Sequence, residues 1–517
     1  MNLKEVISND FNYYRSFFEN LKGEKSYKRL GKVFEAKNKY YYDVGTGKVL
    51  ECEENVFSLL KALEESNSFD SILKLGMQEK ELFNALDILK SAVDEENILK
   101  APPLVEMTGG QTIQLEDHVN ENLSQLTLEL TQRCNLRCKY CIYQDKNGKF
   151  RNFEEEDDMD FNTAKKALDY AIKHVTGENF YLTFYGGEPL LKFDLIKQCV
   201  EYLESKNLDN TIYYSLTTNL TLLTEEKAKF FASLPNFSIV CSIDGDKEIH
   251  DKNRVTVNNT GSFDLAMEGL KNLVKAYGNE KLSSILINMV ICDPYTKEQF
   301  DRIQNFIEKC PYIFPEMTIM YSYVDYGNNA APEGDLHLSK KEEFEYWNPI
   351  EKWEREKSLK NIDRRKLFSS GNTAQGFLKL HKRQISNTPI KYYYFNGCCI
   401  PGSRKLYVTT KGDFQVCERI GQGPVIGNVD KGMDFEVLRK KFVGDYNNES
   451  IPACSDCWAV RLCGLCYAHC YTKDGINMSA KRNKCFHQVR MSEYWLSEYH
   501  RILEEDPKSL EYLNDMA

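Results

Sequence analysis

No apolar run in this sequence approaches the length of a membrane-spanning helix, and its start, Met-Asn-Leu-Lys-Glu-Val, lacks a secretory pattern. A membrane protein or an exported one is therefore not expected, and the reading is a cytoplasmic chain. Positive charge is scarce too: 67 Lys and Arg stand against 77 Asp and Glu, a net charge of −10. That balance argues against broad binding to nucleic acid. The acidic run at residues 154–158 is expected to be a solvated loop. At 517 residues the chain exceeds what one core supports, so two to four domains are expected.

Cysteine, by contrast, is abundant, with 17 in the chain. A reducing compartment keeps such thiols from pairing as disulfides, and most of them cluster, which points to metal. Cys52, Cys199, Cys241, Cys292 and Cys310 are isolated and read as structural thiols. The other twelve fall into two fields.

The first field follows a strand. Leu126, Leu128 and Leu130 alternate with Thr127, Glu129 and Thr131, and the strand end delivers Cys134, Cys138 and Cys141 on one short loop. Three thiolates can each bind one iron of a cubane and leave the fourth iron without a protein ligand. The same spacing can hold zinc with an open position. With a strand before it and Tyr140 beside the last cysteine, the pattern Cys-x-x-x-Cys-x-x-Cys resembles that of the radical SAM enzymes. The resemblance implies a [4Fe-4S] cluster on Cys134, Cys138 and Cys141. It also implies S-adenosyl-L-methionine (SAM) on the free iron, and a 5′-deoxyadenosyl radical that abstracts hydrogen.

Residues 1–105 precede this field. A helical segment, strands around residues 32–36 and 39–43, a turn and a third short strand at Val49 lead to amphipathic helices marked by Val56, Leu59, Leu60 and Leu63 and by Leu82, Leu86, Leu89 and Val93. The expected unit is winged-helix-like. It resembles the recognition element at the front of many enzymes that modify ribosomally made peptides, where the leader of a precursor peptide adds as a strand to a sheet edge. A structural cap is the alternative.

From residue 120 to 325 apolar strands alternate with amphipathic helices. Strands are expected at 126–131, 180–185, 212–217, 237–243, 285–291 and 317–321, and helices at 163–175, 191–205, 225–233, 263–277 and 297–309. Six strands separated by helices predict an α/β fold with a parallel sheet and a site at its carboxyl end. This matches the partial six-stranded radical SAM barrel. Gly186, Gly187 and Glu188 follow the second strand. Glycines permit close backbone approach and a carboxylate accepts from an ammonium group, and the segment resembles the one that contacts the SAM amino group. Ser242, Asp244 and Arg254 resemble the pocket residues of the subfamily, the arginine holding carboxylate or ribose. Asn219 is a further cofactor candidate. His250 reads as a structural hydrogen-bonding residue. Residues 326–396, helical over 340–357, are expected to bridge the barrel to the C-terminal region.

The second field occupies residues 397–517. Cys398 and Cys399, a hairpin turning at Gly412, Cys417, Cys454, Cys457, Cys463, Cys466, Cys470 and Cys485 suffice for two cubanes of four ligands each, with zinc knuckles as the alternative. The field resembles the SPASM extension. Carried over position by position, Cys454, Cys457, Cys463 and Cys485 hold an outer auxiliary cluster, and Cys417 and Cys470 hold an inner one with Cys398 or Cys399. Cys466 departs from the family spacing, so it or a substrate thiolate completes the inner cluster. Glu418 stands where related sulfatase-maturing enzymes place an acidic proton acceptor, with a salt bridge as the alternative.

The resemblance as a whole implies a radical SAM/SPASM peptide maturase of the thioether-forming, sactipeptide or ranthipeptide type. It would carry three [4Fe-4S] clusters, a precursor peptide as partner, and a reductant such as flavodoxin or ferredoxin. Formation of the thioether would send the extra electron out through an auxiliary cluster. Formylglycine formation on a sulfatase, carbon–carbon crosslinking, and a non-enzymatic iron–sulfur electron carrier are the alternatives.

Overall fold

The computed structural model describes residues 3–144, 157–324, 348–360, 362–472 and 474–516. The front of the chain is a helix, Leu3–Lys22, then a three-stranded antiparallel sheet in the order β1-β2-β3, with β1 at Gly31–Glu35, β2 at Lys39–Asp43 and β3 at Val49–Glu51. Helices Glu54–Ser66 and Glu79–Glu96 cover it, and the second is started by a capping box of Gln78 and Glu81. Leu59, Leu60, Leu63, Leu86, Leu89 and Val93 are all buried, as their 3.6-residue spacing predicts, each contributing about 1.5–3 kcal/mol.

The front unit is stapled to the end of the chain. Glu504, near the end of the long helix Met478–Glu505, accepts the backbone N–H groups of Lys37 and Asn38 and the Tyr40 hydroxyl. Arg461 donates to the carbonyls of Val44 and Gly45, and Arg383 to that of Gly47.

The central sheet has eight strands, in the order β11 (Phe414–Gln415), β10 (Lys405–Val408), β4 (Gln125–Thr131), β5 (Asn179–Gly186), β6 (Thr211–Thr218), β7 (Phe237–Ser242), β8 (Ile285–Ile291) and β9 (Thr318–Tyr323). Its barrel strands, β4 to β9, are all parallel. Helices Phe161–His174, Phe193–Glu204, Glu225–Ser233, Phe263–Tyr277 and Lys297–Lys309 alternate with them. Asp160, Thr224 and Thr296 cap three of these, each side chain accepting the N–H three residues on.

The other two strands come from the second cysteine field. β10 (Lys405–Val408) pairs in parallel with β4, Leu406 opposite Leu126, and β11 (Phe414–Gln415) pairs with β10. The hairpin thus extends the barrel sheet rather than standing apart in the cysteine-rich region. β4 is buried on both faces: Leu126, Leu128 and Leu130 are fully buried, but so are Glu129 and Thr131. Its polar alternation turns away from solvent, as a parallel sheet covered on both sides requires.

Of the acidic run expected to be a solvated loop, the part described is anchored to the barrel at Asp158. Asp158 accepts from Thr131 Oγ1 at 2.6 Å and pairs with Arg133 and Lys192, because three donors converge on it; residues 154–156 lie outside the described residues. The helix expected over 340–357 is observed as Pro349–Ser358, and its earlier part also lies outside them. Among the described residues no helix is long and apolar enough to cross a membrane.

Candidate active site at the carboxyl end of the barrel

The loop bearing Cys134, Cys138 and Cys141 is clamped from two sides. On one, Gly187 N–H donates to the Thr131 carbonyl at 2.7 Å and Glu188 N–H to the Arg133 carbonyl at 2.9 Å. A Cβ on Gly187 would lie 2.2 Å from the Arg133 oxygen, and Gly186 has φ +134°, so both positions require glycine. On the other side, Arg137 N–H donates to Val255 O at 2.7 Å and Lys139 N–H to Asn253 O at 2.9 Å. The segments that the sequence places around a cofactor are therefore the ones that shape the cysteine loop.

Glu188 is fully buried and accepts from Leu190 N–H, Thr218 Oγ1 and Asn219 N–H at 2.8–3.0 Å, tying the ends of β5 and β6 together. The Asn219 amide reaches Asn135 Oδ1 at 3.0 Å and lies 3.9 Å from Cys134 Sγ. Ser242 ends β7 and is buried. Asp244 accepts from the Tyr140 hydroxyl at 2.5 Å and from Val290 N–H at 3.0 Å; Arg254 donates to Tyr140 at 2.6 Å and stands 3.8 Å from Asp244. Arg254 Nε, buried, has no hydrogen-bond partner among the described residues.

His250 is buried, with Asp244 N–H facing its Nδ1 at 3.4 Å and Ser262 Oγ facing Nε2 at 3.1 Å. Since the backbone can only donate, Nδ1 accepts and Nε2 carries the proton, and Ser262 passes the chain on to the Arg254 carbonyl at 2.8 Å. This agrees with the expected structural role.

These residues fit a cluster and a charged ligand. Burial first, then the Glu188 carboxylate and the neighbouring thiols, push Cys134 up to about 12; burial likewise pushes Cys138 up to about 11, with Arg254 opposing. Converging buried thiols of this kind are stable as thiolates only around a cation. The orphaned Arg254 Nε suits a carboxylate. Cys292, which the sequence placed among the structural thiols, stands at this end of the barrel too, within electrostatic reach of Cys138 and Asp244. Its position at the end of a parallel strand was the available signal. Cys199 and Cys241 are fully buried and do pack as core.

The second field divides by proximity. Ionised Cys457 would be opposed by Cys454, Cys463 and Cys485. Cys466 stands near each of Cys398, Cys399, Cys417 and Cys470. The two sets are brought close by the packing of residues 396–399 on 463–466, where a Cβ on Gly397 would lie 2.3 Å from Gly464 O. Glu418 follows Cys417 and pairs with Lys405 at 2.6 Å, the salt bridge expected as the alternative to a base. Tyr185 connects the fields, its ring near both Cys141 and Glu418, and Tyr143 donates to the Glu418 carbonyl at 3.3 Å.

Comparison with known proteins agrees with this arrangement. Residues 128–307 match the model of the Radical SAM superfamily. The cysteine-type anaerobic sulfatase-maturating enzyme of Clostridium novyi is 32% identical over 198 residues, 38% of this chain and 50% of that one. This chain thus spans about half the length of that relative. An uncharacterized protein of Methanocaldococcus jannaschii is 27% identical over 329 residues, 64% of this chain and 96% of the other. The solved structure of native anSMEcpe with bound AdoMet shares the fold, with a TM-score of 0.53 and 20% identity, covering 76% of this chain and 100% of that chain. The loops that carry the first three cysteines and the Gly-Gly-Glu turn lie within the residues that match the Radical SAM superfamily.

Proposed function

We propose that the protein is a radical SAM maturase of a ribosomally made peptide that joins a cysteine sulfur to a peptide carbon. The observation that carries the reading is the docking of the β10–β11 hairpin on β4, because it fixes Cys417 and Glu418 to the barrel sheet, where Tyr143, which follows the first barrel strand, and Tyr185, at the end of the second, reach Glu418. In this reading those three cysteines hold a [4Fe-4S] cluster. Cys454, Cys457, Cys463 and Cys485 hold an outer auxiliary cluster, and the set around Cys466 holds an inner one. When bound, SAM and the clusters supply hydrogen-atom abstraction and a one-electron sink.

The chain's own residues do the rest. Arg254, with its free Nε–H, grips a carboxylate of the ligand, and Asn219 packs against the cysteine loop. Tyr143, Tyr185 and Tyr407 wall the space between the two fields and keep water out; the Tyr185 ring lies 6.2 Å from that of Tyr143 and 6.5 Å from that of Tyr407. Glu418, held by Lys405, accepts the thiol proton of the substrate cysteine.

The front unit, residues 1–105, holds the leader. Its β1 edge is taken, since Val33 N–H donates to Glu64 of the covering helix at 3.0 Å. At β3 the ladder pairs Lys48 with Asp43 and Cys52 with Lys39, which turns the N–H groups of Val49 and Glu51 away from β2. A leader strand adds there by main-chain hydrogen bonds.

A second reading, oxidation of a cysteine or serine to formylglycine, is favoured by the likeness to the sulfatase-maturating enzyme. Products separate the two: a thioether keeps sulfur and leaves no aldehyde, whereas formylglycine is an aldehyde. The primary test is anaerobic reconstitution followed by SAM cleavage. About twelve irons per chain, falling to about eight when Cys134, Cys138 and Cys141 are all changed to Ala, with cleavage abolished, supports the maturase. About four irons, with zinc making up the rest, overturns the two auxiliary clusters.

A further inference from the structure

Lys481 is fully buried on the helix Met478–Glu505, one turn before Cys485, yet among the described residues no carboxylate pairs with it. Its ammonium donates to the Tyr446 hydroxyl at 2.7 Å, to Ser450 Oγ at 3.2 Å and to Asn396 Oδ1 at 3.4 Å, and it lies 4.4 Å from the Tyr446 ring centroid. Every one of these partners is neutral. A buried cation is normally retained only beside a compensating anion.

The anions in reach are thiolates. Cys398, Cys466 and Cys470 of the inner set and Cys454, Cys463 and Cys485 of the outer set all lie within electrostatic reach of Lys481, and Cys485 follows it by one turn on the same helix. Other cations serve one set only: Arg419 and Lys379 stand near Cys466, and Arg482 near Cys485. Lys481 reaches both. The Tyr446 hydroxyl also hydrogen-bonds Cys398, so the ammonium acts on that thiol through a direct relay as well as through space.

We infer that Lys481 is the shared buried countercharge of the two auxiliary clusters, holding both at less negative reduction potentials than a neutral side chain would. A reduced cluster carries one more negative charge than its oxidised form, so a fixed cation nearby favours the reduced form. The inference rests on the maturase reading, in which the second field takes up an electron.

The test uses the full-length chain with Cys134, Cys138 and Cys141 changed to Ala, reconstituted anaerobically, so that auxiliary clusters alone report. Its iron content is read before any Lys481 variant is made. Zinc in place of iron there overturns the maturase reading, and this inference with it. With iron present, Lys481→Met should shift both midpoint potentials in the negative direction in a spectroelectrochemical titration, while Lys481→Arg keeps them near the parent values. Loss of iron in Lys481→Met with retention in Lys481→Arg also supports a charge requirement. Unchanged potentials at equal iron content, a shift in only one cluster, or equal loss of iron in both variants overturns it. Melting of the chelated chain gives a second readout. Without cluster anions the buried ammonium is a liability, so Lys481→Met should raise the apo melting temperature, whereas a residue needed merely for packing would lower it.

Discussion

Tyr407 donates a 2.9 Å hydrogen bond to the carboxylate of Glu129, joining positions 278 residues apart. Glu129 is fully buried in β4 and also accepts Thr410 N–H at 3.0 Å, so one carboxylate fastens both the strand and the turn of the late hairpin to the barrel. Tyr407→Phe removes a charge-assisted bond and should cost about 1.5–3 kcal/mol. Glu129→Ala should cost more, because it removes the buried acceptor of both the Tyr407 hydroxyl and the Thr410 N–H. Because the hairpin leads into Cys417, both variants should also lower the iron bound by the second field. A melting temperature and an iron content equal to those of the wild type would show that the hairpin is held elsewhere.

This contact marks where the sequence stops being legible. The barrel helices at 225–233, 263–277 and 297–309 and the strand at 285–291 coincide with the observed elements, because local periodicity encodes them. The hairpin at 405–417 was legible as a hairpin for the same reason. Its pairing with β4 was not, since β10 is a short apolar strand and nothing local names a partner so remote. The pinning of the front sheet by Glu504 is invisible on the same grounds. Cys292 shows the limit at the site: its apolar neighbours read as core, and its place at the barrel end emerges only once strand order is known.

Gly187 tests the clamp on the cysteine loop. A methyl group there would press on the Arg133 carbonyl at 2.2 Å, and that backbone oxygen cannot yield without moving the loop. Gly187→Ala should therefore reduce iron from about twelve to about eight per chain and abolish SAM cleavage, with the second field unaffected. Gly177→Ala, where nothing lies within 4 Å, is the control and should match the wild type in both measurements. Full iron in Gly187→Ala would mean that the loop adapts and that the close approach is not a constraint.

His250 gives the protein a defined acid sensitivity. Burial first, with Arg254 and Lys247 adding, pulls its pKa from 6.5 down to about 3. Below pH 6.5 the unfolded chain takes up a proton that the folded chain refuses until about pH 3. Stability therefore falls as pH drops through that window, in total by about 5 kcal/mol. His250→Gln lacks this titration. Denaturant unfolding at a series of pH values should show the gap between wild type and His250→Gln narrowing from pH 7 to pH 4, and a constant gap would contradict the buried neutral imidazole.

The strand edge of the front unit makes the leader reading testable without knowing the chemistry at the barrel. Val49 sits on an edge strand with its N–H directed away from β2, so proline there removes no hydrogen bond within the sheet and is tolerated by the fold. It does remove a donor from any strand added alongside. Val49→Pro should therefore weaken binding of the precursor peptide, measured by titration calorimetry, about 5- to 10-fold for the loss of one net hydrogen bond of roughly 1 kcal/mol. Iron content and peptide-independent SAM cleavage should stay at wild-type values, because β3 belongs to a sheet separate from the barrel. Lys32, on the opposite edge, is already engaged by Glu64, so Val33→Pro should instead destabilise the fold by stripping the N–H that Glu64 accepts. If both prolines left peptide affinity unchanged, the front unit would be a cap on the barrel, and the leader would have to be held by another surface.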